Sequence, residues 1–205
     1  MFLRSIKITG VVLAGGLARR MGGGDKGLID FAGKPLIHYA LAAITPVVDD
    51  IIINANRNHD KYREFGCPVV ADQNSSFDGP LAGILSAMTA SKADYLLTVP
   101  CDCPLIDRSI LERMVAAMEH EPADCLVAYD GERLHPVVLL LARRLEDDLR
   151  VYLDSGERKI DRWFMRHCWK PVDFSDRPGV FRNINTPQEL AALEQELRAN
   201  RETRC

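Results

Sequence analysis

Residues 8–27 read ITGVVLAGGLARRMGGGDKG and decide the fold of this chain. The apolar run at their start predicts a buried strand, and glycines and cations follow it directly. Glycine lets backbone N–H groups approach an anion closely, while Arg19, Arg20 and Lys26 supply positive charge. A turn that is merely flexible would carry serine or asparagine in place of these cations. The stretch therefore predicts a strand that ends in a phosphate-binding loop.

This loop differs from two common phosphate-binding loops. A Walker-type loop needs Gly-Lys followed by Ser or Thr, whereas an aspartate precedes Lys26 and Pro35 follows Gly33-Lys34. The dinucleotide pattern G-x-G-x-x-G begins at Gly22, which is too far beyond the strand to form a strand-to-helix turn. Neither loop type explains the pattern.

Strand-like and helical segments alternate along the rest of the chain. Apolar runs predict strands over residues 6–13, 50–55, 68–71, 95–99, 124–129, 136–141 and 180–184. Helical spacing and capping residues predict helices over residues 35–44, 60–65, 81–90, 108–119, 143–153, 158–166 and 186–197. This alternation predicts the α/β class, as a three-layer sandwich with a mostly parallel sheet, and the continuous apolar run at 95–99 predicts its central strand.

Polar or glycine-rich segments follow three of the predicted strands, at residues 13–26, 54–57 and 100–104. Parallel strands place their carboxyl ends at one edge of the sheet, where ligands of such folds bind, so we expect these segments to converge. Asp102 ends the central strand. Its carboxylate is either a turn cap or a ligand for Mg²⁺, which takes one or two carboxylates together with phosphate oxygens.

The motifs together resemble one enzyme family. They are Leu-Ala-Gly-Gly, Arg-Met-Gly and Lys26 in the first loop, and the segments at residues 54–57, 79–83, 99–104, 131–136, 156–158 and 183–190. This combination is similar to the molybdenum cofactor guanylyltransferases, a family of molybdopterin nucleotidyltransferases, from residue 9 to about residue 193. The resemblance implies an α/β/α sandwich with a Rossmann-like nucleotidyltransferase sheet.

The resemblance also implies roles for individual residues. Arg20, Lys26 and Asp102 would be catalytic, and Asp102 would bind the Mg²⁺ cofactor. The GTP-binding residues would be Leu13, Ala14, Gly15, Gly16, Lys26, Asn54, Asp72, Gly79, Gly83 and Asp102. The molybdopterin-binding residues would be Arg158, Asn183 and Asn185.

The residue types fit nucleotidyl transfer. Lys26 and Arg20 would neutralise the β- and γ-phosphates as pyrophosphate leaves, with only one of Arg19 and Arg20 facing the loop interior. Guanine presents N–H donors, so Asn54, Asp72 and loop carbonyls are candidate acceptors. Alternatively, Asn54 caps a strand end and Asp72 belongs to a turn, since both residue types are favoured there.

The second substrate would attack through its own phosphate, which is already ionised near neutral pH and needs no general base. Candidates for holding it are the cations and amides of the C-terminal half: Arg133, His135, Arg158, Lys159, Asn183 and Asn185. Alternatively, Arg158 and Lys159 begin a solvated helix, Asn185 caps the last helix, and Gly83 only allows close packing.

Size and composition are those of an ordinary globular protein. The chain has 205 residues, 47% hydrophobic and 27% charged, with a net charge of −3, which gives no global attraction to nucleic acid or anionic membranes. We expect a single domain over 1–205, with a nucleotide half at about 1–105, an acceptor half at about 106–197 and a charged, frayed tail at 198–205. Unpatterned cysteines, and Arg4 and Lys7 within the first apolar stretch, predict a cytoplasmic protein.

The sequence thus predicts an enzyme that transfers GMP from GTP to the phosphate of Mo-molybdopterin and releases pyrophosphate. The alternatives are cytidylyl transfer to the same cofactor, a sugar-1-phosphate nucleotidyltransferase, and a carrier that binds molybdopterin without catalysis. A carrier would not need Arg20, Lys26 and Asp102 together. We expect transient contact with cofactor-insertion proteins or molybdoenzyme chaperones as well.

Overall fold

The computed structural model describes residues 6–16, 24–73, 79–120 and 123–202. The strands are β1 Ile8–Leu13, β2 Asp30–Phe31, β3 Lys34–Pro35, β4 Asp50–Asn54, β5 Val69–Val70, β6 Tyr95–Pro100, β7 Cys125–Tyr129, β8 Leu134–Ala142 and β9 Trp169–Asp173. The helices are α1 Leu36–Ile44, α2 His59–Arg63, α3 Pro80–Ala90, α4 Arg108–His120, α5 Glu146–Asp154, α6 Ile160–Phe164 and α7 Pro187–Glu202. Short 3₁₀ turns occupy Lys26–Leu28, Arg143–Leu145 and Pro178–Phe181.

A seven-stranded sheet in the order β5-β4-β1-β6-β8-β7-β9 forms the middle layer. Its strands are parallel except for β8, which runs antiparallel to both neighbours. The predicted mostly parallel sheet is confirmed, and so is the central position of the strand at 95–99, now β6.

Helices cover both faces of the sheet because its strands carry apolar side chains on both sides. Along β1, Val12 belongs to the core beneath α1 and α4, whereas Val11 belongs to the core beneath α3, α5 and α6. A smaller cluster joins α7 to the β2–β3 hairpin through Leu193, Ile184 and Phe31. The predicted three-layer sandwich is therefore confirmed.

Capping residues are observed at the start of the helices predicted from residues 108 and 186. Asp107 accepts hydrogen bonds from the backbone N–H groups of Ser109 and Ile110 at the start of α4. Thr186 and Glu189 exchange hydrogen bonds between side chain and backbone at the start of α7, as a capping box does.

Two predictions near the C-terminus are wrong. The strand predicted over 180–184 is absent from the described residues, because Val180 and Phe181 are buried through the 3₁₀ turn Pro178–Phe181. The sheet is instead completed by β9, which is the last strand in the order and pairs with β7, so Pro171 is tolerated at an edge. Helix α7 also continues to Glu202, beyond its predicted end at residue 197 and into the tail that was expected to fray.

Gly83 allows α3 to approach β4, and this contact yields a test. A Cβ at this position would collide with the side chain of Asn54, which is buried and hydrogen-bonded to Asp72. We expect Gly83→Ala to lower the free energy of unfolding by roughly 1–3 kcal/mol, the usual cost of overpacking, although alanine favours helix.

The matched control is Gly179→Ala, since a Cβ there meets no atom within 4 Å and the residue is exposed. Its free energy of unfolding should change by less than about 0.5 kcal/mol. Urea denaturation measures both variants. A Gly83→Ala protein as stable as the control would show that Asn54 can be displaced without cost.

Candidate active site

The ends of three parallel strands place the predicted loops side by side. Leu13, the last residue of β1, is paired with Asn54 of β4 and with Pro100 of β6. Beyond the strands, the N–H of Ala14 donates to the carbonyl of Asn54 at 2.8 Å, and the N–H of Cys101 donates to the carbonyl of Leu13 at 3.1 Å. The predicted convergence of these segments is confirmed.

A cavity of about 710 Å³ opens at this edge of the sheet. One wall comes from the first half of the chain and consists of Leu13, Gly15, Gly16, Asn54, Asn56, Asp72, Gly79 and Pro80. The opposite wall consists of residues 133–138 together with Phe181 and Asn183. Between the walls lie Lys26 and residues 100–103. The volume is within the range of small-molecule sites.

Lys26 and Asp102 form an ion pair between the two walls. The Lys26 Nζ lies 2.5 Å from Asp102 Oδ2 and donates a second hydrogen bond to Asn185 Oδ1 at 2.6 Å. The two charged side chains are only 13% and 18% exposed. The backbone N–H of Ile184 donates to the carbonyl of Asp102, which fixes the C-terminal segment against the end of β6. Three of the predicted site residues, from distant parts of the chain, therefore meet here.

A buried network that sequence reasoning missed positions Lys26. Asp25 is buried, and its carboxylate accepts hydrogen bonds from Tyr62 Oη at 2.7 Å and from Asn58 Nδ2 at 3.2 Å. Burial and the bond to Asp25 raise the pKa of the Tyr62 hydroxyl, which therefore stays protonated as the donor. Glycine suits position 27, because a Cβ there would lie 2.6 Å from that hydroxyl. In the sequence, the only indication of this network is an aspartate next to the predicted lysine.

Asn54 and Asp72 meet through hydrogen bonds that also include Asn56. Asn54 Nδ2 donates to Asp72 Oδ1, and Asn56 Nδ2 donates to Asp72 Oδ2, both at 2.8 Å. The N–H of Asp72 donates back to Asn56 Oδ1 at 2.8 Å. Gly15 lies against this network, since a Cβ there would lie 3.1 Å from Asn56 Nδ2. Asn56 was not singled out by itself, although it lies within the predicted segment 54–57.

Gly79 and Gly83 have different structural roles. Gly79 has φ of +76°, a conformation that favours glycine, and it precedes Pro80 at the start of α3 in the cavity wall. Gly83 faces Asn54 and is not among the described residues that line the cavity. Its predicted contact with the nucleotide would therefore be made through Asn54.

Buried thiols flank the Asp102 carboxylate. Burial raises the pKa of both Cys101 and Cys103, so these thiols are neutral. Cys103 Sγ lies 3.6 Å from Asp102 Oδ1 and 3.7 Å from the carbonyl oxygen of Phe181. The described residues contain no group of three or more histidine, cysteine or acidic side chains that could hold a metal ion. Asp102 would therefore share any metal with oxygens of the substrate.

The remaining predicted residues lie in three different settings. Asn183 lines the cavity, and Asn185 contacts Lys26. Arg158 donates to the carbonyl oxygens of Leu153 and Glu157 in the turn after α5, and it is not among the described cavity-lining residues. Arg20, like Arg19, lies outside the described part of the chain.

The start of β8 contributes a hydrogen-bonded histidine to the cavity. His135 Nε2 lies 2.6 Å from Asp130 Oδ2, and the imidazole stacks on Phe181 with ring centroids 4.3 Å apart. The backbone N–H of Arg133, and in addition the bonds from His135 and the N–H of Glu132, hold the pKa of Asp130 well below its usual range. His135 and Arg133 both line the cavity.

No helix among the described residues is long and apolar enough to cross a membrane.

Comparison with known proteins identifies relatives along most of the chain. A family model described as the MobA-like NTP transferase domain matches residues 10–171. A molybdenum cofactor guanylyltransferase of Shewanella sediminis is 50% identical over 191 residues, which cover 93% of this chain and 97% of that protein. One from Shewanella loihica is also 50% identical over 191 residues, with the same coverage of 93% and 97%.

A solved structure shares the fold. The molybdopterin-guanine dinucleotide biosynthesis protein A of Archaeoglobus fulgidus superimposes with a TM-score of 0.78 at 22% identity, covering 93% of this chain and 99% of that one. Together with the sequence relatives, these matches extend over both walls of the cavity. The chain therefore belongs to the MobA-like NTP transferase family, among its molybdenum cofactor guanylyltransferases, and is a nucleotidyltransferase enzyme.

Proposed function

We propose that this enzyme transfers GMP from GTP to the phosphate of Mo-molybdopterin, forming the molybdopterin guanine dinucleotide and releasing pyrophosphate. The observation that carries the proposal is the Lys26–Asp102 pair, which lies between a glycine-rich nucleotide wall and a second wall with its own polar groups. Such an arrangement suits two substrates that meet at a shared reaction centre. The names of the sequence relatives support guanine as the base.

The nucleotide would bind along the wall formed by the first half of the chain. Backbone groups from Leu13 to Gly16 are proposed to contact it, with Gly79 admitting the ribose or base closely. The Asn54–Asp72 pair, braced by Asn56, is proposed to face the donor edge of guanine. Arg20 is proposed to assist Lys26 at the β- and γ-phosphates.

Mg²⁺ is the proposed metal. The donor set fits, because Asp102 offers a hard carboxylate between the two walls and Mg²⁺ takes one or two carboxylates plus phosphate oxygens. When bound, Mg²⁺ would supply charge neutralisation at the α-phosphate. Asp102 would anchor the metal, and the Lys26 ammonium beside it would stabilise the negative charge that grows on the leaving pyrophosphate.

The acceptor would bind along the opposite wall, which divides the single domain into a nucleotide half at about 1–105 and an acceptor half at about 106–197. Asn183 lines this wall, and Asn185 connects it to Lys26. Arg158 is proposed on family resemblance. The acceptor phosphate is ionised near neutral pH, so the chain has to position it in line and does not have to remove a proton.

We further propose that the reaction takes place in the cytoplasm and that the product passes on through transient contact with cofactor-insertion proteins or molybdoenzyme chaperones. The free thiols of Cys67, Cys101, Cys103 and Cys125 support a reducing compartment.

The function is tested by incubating the protein with Mo-molybdopterin, Mg²⁺ and each nucleoside triphosphate in turn. Among the nucleoside triphosphates, we expect only GTP to give pyrophosphate release in the presence of Mo-molybdopterin. Release with CTP would identify a cytidylyltransferase, and release only when a sugar-1-phosphate is supplied would identify a sugar nucleotidyltransferase. Binding of Mo-molybdopterin without release from any nucleotide would identify a carrier.

Asp102→Asn should reduce turnover by roughly 10³-fold or more, because a metal anchor contributes several kcal/mol to transition-state stabilisation. The amide keeps the shape of the side chain. The control is Asp60→Asn, whose side chain is 96% exposed and lies outside the cavity. Near-normal pyrophosphate release by the Asp102 variant, at any Mg²⁺ concentration, would refute the metal assignment.

Lys26→Ala should lower turnover by roughly 10²–10³-fold, the effect of removing one group that stabilises transition-state charge. Lys26→Arg should recover little, because a planar guanidinium does not replace a point charge held between Asp102 and Asn185. Lys34→Ala, at an exposed lysine, serves as the control. Steady-state rates decide the matter, and full activity of either Lys26 variant would contradict the role.

Arg158→Ala should raise the KM for Mo-molybdopterin and leave the KM for GTP unchanged within about twofold. A charge-assisted hydrogen bond to a phosphate contributes roughly 1.5–3 kcal/mol, so the acceptor KM should rise at least about tenfold. Arg108→Ala, at an exposed arginine on α4, is the control. If only stability falls, Arg158 acts solely through the turn after α5.

A further inference from the structure

The cavity wall that faces the glycine loop carries positive charge of its own. Among the described residues that line the cavity, the side chains able to be cationic are Lys26, Arg133 and His135. Lys26 is already held by Asp102 and Asn185. Arg133 lies in the turn between β7 and β8, and His135 is the second residue of β8, so the two form a separate group of nitrogen donors on the acceptor wall.

His135 is held in place from two directions. Asp130 Oδ2 lies 2.6 Å from Nε2, and Phe181 stacks on one face of the ring at an interplanar angle of 17°. A carboxylate only accepts hydrogen bonds, so the proton of this pair belongs on Nε2. Nδ1 is then the remaining polar atom of the ring, and it donates when the imidazole is protonated. The side chain retains 12% exposure at the cavity.

Asp130 is itself fixed by the backbone. Its Oδ1 accepts the N–H groups of Glu132 at 2.9 Å and Arg133 at 2.8 Å, and the Arg133 Nε lies 3.7 Å from Oδ2. One carboxylate thus organises the turn and both cationic side chains. Preorganised donors of this kind lose little conformational entropy when an anion binds.

The histidine lies at the same end of the sheet as the reaction centre. β8 runs antiparallel to β6, with Thr98 paired to Leu139, so the start of β8 lies toward the carboxyl end of β6. Phe181 stacks on His135, and its backbone carbonyl oxygen accepts a hydrogen bond from the thiol of Cys103, the residue after Asp102. His135 is therefore connected to the segment that carries Asp102 through one ring contact and one hydrogen bond to a backbone carbonyl.

We propose that His135 and Arg133 form the subsite for the phosphate monoester of the acceptor, with Asp130 and Phe181 as positioning residues. The inference rests on the proposed function, since it assigns the residues that receive its second substrate. The guanidinium of Arg133, and Nδ1 of His135 when both ring nitrogens carry a proton, would donate charge-assisted hydrogen bonds to the phosphate oxygens before transfer. The attacking oxygen would then face the α-phosphate at the Lys26–Asp102 pair.

The test compares two variants with one control. His135→Phe keeps an aromatic ring to stack on Phe181 but removes both nitrogens, and Arg133→Ala removes a side chain that is 70% exposed. His38→Phe makes the same substitution on α1, outside the cavity. The KM values for Mo-molybdopterin and for GTP are measured separately, and calorimetric titration measures Mo-molybdopterin binding without GTP.

We expect His135→Phe to raise the acceptor KM by roughly 10- to 100-fold, the effect of losing one hydrogen bond to a charged group. Arg133→Ala should raise it by roughly 2- to 5-fold, because an exposed cation contributes less. The KM for GTP should change less than about twofold in both, and His38→Phe should match the wild type. Acceptor affinity in the titration should fall in parallel.

An unchanged acceptor KM in folded His135→Phe would overturn the assignment, as would equal weakening of GTP and acceptor. If His135→Phe does not fold, an unchanged acceptor KM in Arg133→Ala overturns it instead. Failure of the proposed function has a different signature, because the wild type would then release no pyrophosphate from GTP with Mo-molybdopterin.

Discussion

The ion pair between Lys26 and Asp102 is the interaction on which the rest of the site depends. It joins residues 76 positions apart, and Asn185 binds the same ammonium from 159 positions away. Both charges are largely withdrawn from water, so each needs the other, and loss of one would leave an uncompensated charge. The Lys26 ammonium thus connects segments from both halves of the chain. A ligand that binds between the two walls therefore contacts a lysine and a carboxylate whose relative positions are fixed.

The fold provides this relation through ordinary strand geometry. β1 and β6 are neighbouring parallel strands, so the loops that follow them leave the sheet at the same height. Lys26 lies 13 residues beyond the end of β1, and the buried hydrogen bond from Tyr62 to the neighbouring Asp25 positions it. Asn185 lies next to Lys26 because the preceding residue, Ile184, packs with Phe31 and donates its N–H to the Asp102 carbonyl. Each part of the centre is therefore held by a buried contact outside it.

The sequence predicts those features that depend on local pattern. The apolar runs that lead into glycine or aspartate predict β1 and β6, and the parallel topology predicts that the loops after these strands converge. It missed the features that depend on distant packing. The stacking of His135 on Phe181 joins residues of different elements, and nothing local to either one indicates it. The same limit explains β9, where Pro171 and exposed polar residues conceal an edge strand that only its pairing with β7 makes visible.

A site for phosphates that is surrounded by carboxylates needs an electrostatic explanation, since the chain as a whole carries a net charge of −3. Three acidic groups at or beside the cavity each have close hydrogen-bonding partners. Asp72 accepts two side-chain amides, Asp102 is paired with Lys26, and Asp130 accepts backbone N–H groups and His135. The Lys26 charge offsets that of Asp102, so an incoming anion meets less repulsion there than an unpaired carboxylate would exert. The carboxylates can then hold amides, a lysine and a histidine in place without excluding the phosphates that we propose these groups bind.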